Sequence, residues 1–423
     1  MKLIQAMSCS FLPHVPALIC FRIINTVAIN SRSVFMRSRD VMDHRWMRLP
    51  LSWSASLSRR EPAGDQVLII VTVLLLAVGI MMMYSSSALL AQRRYEDTAF
   101  FLKRQLIWIS VGLIMLYAVS HFQHRYWRKL IGPLLCIGLA LLAVVLFSPL
   151  GEPINGARRW LRLGVMTIQP SEMIKVILIV YLACYLAGRG ERIQSFVQGA
   201  LPVVFVVGVF VSLIMCQPDL GTAVVILTVT GGMLFIGGVP VRHLAGLSTA
   251  ALAMCAYLVT QTAYQRQRVL TFLNPWDDPM DSGFQTIQSM LAIGSGGIWG
   301  MGLGEGNQKR LFLPEPHTDF IFAVLAEELG LIGGMMVLGL YGVLIWRGFR
   351  IAWGSNDLLG YYLAYGITLL FSIQVLINVG VVSGMLPAKG LTIPFLSYGG
   401  SAIVMNLVAI GILISISRAR EHT

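Results

Sequence analysis

The run VLIIVTVLLLAVGIMMMY, residues 67–84, holds one threonine and no charge. A helix needs roughly 20 such residues to cross the hydrocarbon of a bilayer. Runs of the same character recur at 106–120, 130–150, 173–187, 199–216, 220–239, 244–260, 320–346, 358–382 and 401–417. None alternates polar with apolar residues as barrel strands do, and in lipid only helices and closed barrels satisfy their own backbone. The expected class is therefore all-α: a polytopic integral membrane protein with about ten transmembrane helices.

Composition agrees. Of 423 residues, 56% are hydrophobic and only 12% charged, and mean hydropathy is +0.73. Soluble proteins carry about a quarter charged residues, so this chain lacks the polar surface of a water-soluble globule. Cys9, Cys20, Cys136, Cys184, Cys216 and Cys255 are scattered without CxxC or Cys/His spacing, which argues against structural zinc and a disulfide framework. The net charge of +12 comes with no basic stripe interleaved with aromatics, so no nucleic-acid partner is expected.

Lysine and arginine set the orientation. If the first helix enters from the cytoplasm, Arg125, Arg128, Lys129, Arg189, Arg192, Arg347, Arg350 and Arg418 fall inside, and both termini are cytoplasmic. Arg158, Arg159 and Arg162 then lie outside, where an anionic substrate would account for them. Residues 1–65 read as a cytoplasmic segment, or as an overextended start with Met36 or Met42 as the true one. Residues 66–418 form the transmembrane domain, and 419–423 a cytoplasmic tail.

The long connection 261–318, between the seventh and eighth spans, is the outstanding segment. Long connections in compact proteins are usually functional, and this one falls outside in the expected topology. It carries Asn274-Pro275-Trp276-Asp277-Asp278-Pro279, then Gln285 and Gln288 at helical i, i+3 spacing. Glycine-rich stretches 294–297 and 300–304 follow, then Leu313-Pro314-Glu315-Pro316-His317-Thr318-Asp319-Phe320. Thr318 or Asp319 is placed to cap the next helix. Inside the spans, Glu172 with Lys175, Asp219, and Glu327 with Glu328 are charges at a costly depth, which mark cavities or partnered sites.

Five blocks carry a family likeness. They are Asn155-Gly156-Ala157-Arg158-Arg159-Trp160 with Gln169-Pro170-Ser171-Glu172, Gln217-Pro218-Asp219-Leu220-Gly221-Thr222, the two loop blocks above, and a last one from Asn378 through Gly384, Pro387, Lys389 and Gly390 to Ser397-Tyr398-Gly399-Gly400-Ser401. In this order they resemble the SEDS family of FtsW, RodA and SpoVE. The stretch 389–395 and the Trp276 block lean toward the division branch, whereas 292–297 leans toward the elongation branch.

The resemblance implies a peptidoglycan glycosyltransferase that polymerises the lipid-linked disaccharide-pentapeptide lipid II. It implies a bacterial inner-membrane location at the division septum, a class B penicillin-binding protein as transpeptidase partner, and other divisome proteins. Asp278 aligns with the family's essential loop aspartate, as general base; otherwise it is a turn residue before Pro279. Arg159 and Lys389 are candidates to hold pyrophosphate, the alternative for the arginines being a rim on anionic lipid headgroups. Gln285, Gln288 and Ser397 are further candidate substrate contacts. His317 reads as a second base or a neutral structural histidine, and Glu172 with Lys175 as substrate contacts or an ion pair. No cofactor is certain, though Asp277 and Asp278 have the hard oxygens that suit Mg2+ or Mn2+. Three readings stay open beside septal polymerisation: an elongation polymerase, a lipid II flippase, and a scaffold that recruits a transpeptidase.

Overall fold

The computed structural model describes residues 64–149, 151–154, 157–163, 166–261, 263–277, 279, 283–306, 317–387 and 390–419. Asp278 and Lys389 lie outside the described residues. The helices are α1 (Gln66–Tyr95), α2 (Phe100–His121), α3 (Trp127–Phe147), α4 (Pro170–Arg189), α5 (Leu201–Cys216), α6 (Leu220–Ile236) and α7 (Val241–Gln261). After them come α8 (Ala263–Leu273), α9 (Phe284–Gly296), α10 (Ile321–Trp353), α11 (Leu358–Val382) and α12 (Gly400–Ala419). Among the described residues, eight helical segments are long and apolar enough to cross a membrane, and α6 is a shorter apolar helix. With α7, they fall where the ten apolar runs of the sequence lie. The chain is a multi-pass membrane protein.

One element was not foreseen. Between α3 and α4 the chain forms a three-stranded antiparallel sheet of β1 (Gly151–Ile154), β2 (Ala157–Leu163) and β3 (Met166–Ile168). Leu161 pairs with both Gly151 and Ile168. The helical body is all-α as expected, and the sheet is an extra at one end of it.

The core is built on α4, α11 and α12, whose most apolar windows are 67%, 67% and 78% buried. Lipid gives little hydrophobic drive for helices to associate, so close packing does the work, and small residues permit it. Helix α12 runs along α2 in this way. A Cβ on Gly112 would sit 2.5 Å from Leu407 Cδ1, and one on Gly411 2.9 Å from the Leu116 carbonyl oxygen.

Successive crossings sort the connections onto two ends of the bundle. At one end, Asp65 caps α1 by accepting from the Leu68 amide (3.0 Å) and also receives Arg347 Nε at 2.8 and 3.0 Å. At that same end His124 Nε2 lies 3.1 Å from the Asp357 carboxylate, tying the α2–α3 turn to the start of α11. The other end carries the sheet and residues 217–219, 263–277, 283–306, 317–320, 383–387 and 390–399. It is called the site end below.

Helix α10 is interrupted at Gly330, whose φ of 68° and ψ of −168° are not helical. The backbone groups freed there pair with the stretch after α9. Met301 and Gly302 amides donate to the Glu327 and Glu328 carbonyls, both at 3.0 Å. Leu331 and Ile332 amides donate in return to the Gly297 and Ile298 carbonyls, at 2.9 and 3.2 Å. A broken helix at membrane depth is tolerated when protein takes over its backbone bonds, and here the loop does so.

Candidate functional site

At the site end, α9 presents Gln285 and Gln288 partly exposed, while Thr286, Ile287 and Ser289 are buried. Ser289 Oγ donates to the Val382 carbonyl (2.7 Å), which fastens α9 to the last turn of α11. The preceding Pro275–Asp277 turn is exposed, and Asn274 Nδ2 donates to Asp277 Oδ1 at 2.5 Å. Asp277 is therefore occupied in a turn. Among the described residues no three or more His, Cys, Asp or Glu side chains gather as a metal cage requires.

Arg159, on β2, points to the α5–α6 turn. Its Nε donates to the Gln217 carbonyl (3.0 Å) and its Nη2 to the Pro218 carbonyl (2.5 Å). A guanidinium carries five N–H donors, so these two bonds do not use them all. Asp219 caps α6: it accepts from the Thr222 amide at 3.2 Å and the Thr222 hydroxyl at 2.9 Å. Ser171 and Gln169 approach the same carboxylate at 3.5 Å. Two of the family-like blocks thus meet in space through hydrogen bonds that sequence spacing could not reveal.

Glu172 and Lys175 lie in the first turns of α4, both buried, with Lys175 Nζ 2.8 Å from the carboxylate. They form an intrahelical ion pair. Glu328 accepts from Ser85 Oγ at 2.7 and 2.8 Å and from the Gly304 amide at 3.2 Å, so it binds α1 and the glycine-rich loop to α10. Glu327 is fully buried beneath Gly306.

His317 sits in an aromatic nest, its ring centroid 4.7 Å from that of Phe101 and 5.5 Å from that of Tyr398. Burial pushes its pKa down to about 4, so the ring is neutral at pH 7. Burial also raises the Tyr398 phenol, while the neighbouring Arg104 pulls it back. Ser397 is 4% exposed, and its hydroxyl is engaged twice. It donates to the Thr318 carbonyl (2.6 Å) and accepts from the Ile393 amide (3.0 Å).

The expected cap of α10 is corrected. Neither Thr318 nor Asp319 caps the helix; the N-cap position is Phe320, with no side-chain hydrogen bond. The backbone carbonyls of His317, Thr318 and Asp319 are instead drawn into bonds with residues 398, 397 and 378, and the helix starts beyond them. Asn378 was quoted only as part of a motif. Its role shows in the fold, where one buried amide bridges the Asp319 and Leu391 carbonyls at 3.0 and 2.7 Å. A polar asparagine in a mostly apolar run was the available signal.

The chain matches the family described as "Cell cycle protein", FtsW/RodA/SpoVE, over residues 65–422. It is 44% identical over 332 residues to stage V sporulation protein E of Bacillus subtilis, covering 78% of this chain and 91% of that one. It is 43% identical to the probable peptidoglycan glycosyltransferase FtsW of Trichlorobacter lovleyi, over 77% of this chain and 86% of the relative. Among solved structures, RodA of Thermus thermophilus superposes with a TM-score of 0.64 at 31% identity, covering 85% and 98% of the two chains. A chain from a peptidoglycan synthase complex, described as coordinating polymerization and crosslinking, superposes with a TM-score of 0.71 at 34% identity, covering 86% and 100%. With its membrane helices, its site-end blocks and these matches all in family order, the chain belongs to the SEDS family of FtsW, RodA and SpoVE.

Proposed function

We propose that this chain is a peptidoglycan glycosyltransferase that joins lipid II units into glycan strands at the outer face of the bacterial inner membrane, at the division septum. The observation that carries this reading is its identity, over most of both chains, with a relative named as a probable peptidoglycan glycosyltransferase. In the reaction, the acceptor sugar hydroxyl attacks the anomeric carbon of the donor. A C–O bond forms, the anomeric C–O bond to pyrophosphate breaks, and undecaprenyl pyrophosphate leaves. Asp278 takes the hydroxyl proton as general base. Arg159 and Lys389 counter the charge on the departing diphosphate, Arg159 through the N–H groups it does not use on the α5–α6 turn. Gln285 and Gln288 are placed to contact sugar or peptide. A class B penicillin-binding protein is the proposed partner for crosslinking. Glu172 with Lys175 then acts through the fold of α4, and His317 through packing.

The test uses the purified protein with its cognate transpeptidase and fluorescent lipid II. Long glycan products should form, and should vanish for Asp278→Ala at unchanged folding; normal polymer from that variant removes the mechanism. The same assay with and without EDTA tests the divalent cation. Labelling of a cysteine placed at Trp276 must come from outside the cell. Depletion separates the branches, since filamentous cells point to division and rounded cells to elongation.

The interruption of α10 at Gly330 favours one second reading, lipid II transport, because transporters use discontinuous helices near their substrates. Here the freed groups are bonded to residues 297–302. Flipping of labelled lipid II in liposomes by the Asp278→Ala variant would support transport.

A further inference from the structure

We propose that Asn378 and Ser397 are positioning residues that lock the end of the long loop against the segment carrying Lys389; this rests on the reading of those two segments as the glycosyltransferase site. The described residues 317–320 and 390–399 lie outside helices and strands, so side chains must hold their backbone. Three consecutive carbonyls just before α10 each receive one donor, two from residues 397–398 and one from α11. His317 O accepts from the Tyr398 amide at 2.9 Å, Thr318 O from Ser397 Oγ at 2.6 Å, and Asp319 O from Asn378 Nδ2 at 3.0 Å.

Both side chains also hold the Lys389 segment. The second amide hydrogen of Asn378 goes to the Leu391 carbonyl at 2.7 Å, and the Ser397 oxygen accepts from the Ile393 amide at 3.0 Å. Each residue therefore shapes residues 391–397 and ties them to residues 318–319 with a single functional group. Both are buried, at 2% and 4% exposure, and their hydrogens are used on backbone. One turn beyond Asn378, the Val382 carbonyl receives Ser289 of α9 at 2.7 Å. The last two turns of α11 thus form a strut to which α9, the start of α10 and the Lys389 segment are all fastened.

The consequence for chemistry is geometric. In sequence Asp278 precedes α9 and Lys389 precedes residues 390–397, so the strut fixes the described flanks of the two segments that the proposed function uses. A displacement of about 1 Å at a reacting centre can cost on the order of 10²-fold in rate. Because Asn378 and Ser397 donate to backbone and not to substrate, turnover should respond more than substrate binding.

The experiment measures hydrogen–deuterium exchange and glycan synthesis on the full chain with its transpeptidase in lipid nanodiscs. For Asn378→Leu and Ser397→Ala, uptake should rise in peptides spanning 317–323 and 390–398. It should stay unchanged at 120–127 and 354–360 on the opposite end. Turnover should fall at least tenfold, with the half-saturating lipid II concentration within threefold of wild type. Ser397→Thr, which keeps the hydroxyl, should restore both protection and most of the turnover. Faster exchange at both ends, local loosening with full turnover, or a KM that rises in step with the loss would each overturn the proposal. A wild-type protein that makes no polymer while the exchange pattern holds would count for the strut and against the polymerase reading.

Discussion

The two sides of the long loop are built differently. On its entrance side, α7 packs on α6, α8 and the ring of Phe196, and none of its described side chains is fully buried. Leu252, Met254 and Tyr257 are 71%, 58% and 59% exposed, and the Pro275–Asp277 turn beyond α8 is open. On the exit side, Ile321, Ala323, Val324, Leu325 and Glu327 are fully buried, and the three carbonyls ahead of them are each bound. Few buried contacts mean a low free energy for local opening, and many mean a high one. In sequence the proposed base falls between the yielding side and the anchored one. A polymerase that must admit a bulky lipid-linked donor and then align it has use for both.

The largest effect should come from the yielding side. Asp278→Asn should reduce glycan synthesis by roughly 10²–10⁴-fold, the usual contribution of a general base, with no loss of thermal stability. A large drop in melting temperature would break the comparison, because the turn would then belong to the core.

Next in size is the anchored core. Lys175→Ala leaves the buried Glu172 carboxylate (5% exposed) without its 2.8 Å partner. Breaking a buried pair on one side costs about 3–5 kcal/mol, whereas replacing both partners by apolar residues is often neutral. Denaturant unfolding in mixed micelles should therefore show a large loss for Lys175→Ala and near-recovery for Glu172→Leu with Lys175→Met. Full glycan synthesis by the double variant would confine the pair to a structural role; its loss would bring substrate contact back.

His317 sharpens the comparison through pH. Its pKa lies at about 4 against an ordinary 6.5 because burial disfavours the charged ring. Above pH 6.5 neither the folded nor the unfolded chain binds the proton, and the full stability is present. Between 6.5 and 4 only the unfolded chain binds it, so stability falls as pH drops, by about 3 kcal/mol in all. Unfolding midpoints at pH 7 and pH 4.5 should separate by that order, and His317→Phe should narrow the gap. An unchanged gap in that variant would mean that the anchored side does not exclude water from the ring.

The positions of the crossings were legible in the sequence because apolar runs of about 20 residues leave a chain few options in lipid. The short sheet was not, since β2 is read against two long spans and its pairing depends on contacts with β1 and β3. The break at Gly330 was equally hidden, because a glycine inside an apolar run looks like any other until φ is known. At the site end the motifs named segments that the fold brings together but not how they are bonded. Ser397 and Asn378 were visible as residue types, while their bonds to residues 318, 319, 391 and 393 depend on segments 59 and 79 positions apart in sequence being folded together. The ion pair of Glu172 and Lys175 was readable because i, i+3 spacing on a helix suffices to place it.

The smallest effect tests the yielding side directly. Leu252 on α7 is 71% exposed, and Leu413 on α12 is fully buried. Truncating the latter should cost about 2–5 kcal/mol, since a cavity opens in a packed interior. Leu252→Ala removes a side chain that touches mainly what surrounds the protein, and surface changes of that kind stay within about 0.5 kcal/mol. Parallel unfolding of the two variants in one lipid mixture measures the difference. If Leu252→Ala proved as costly as Leu413→Ala, α7 would be held by contacts like those of the core. The entrance of the loop would then be as firmly fixed as its exit, and alignment of the donor would have to come from the substrate or the partner protein.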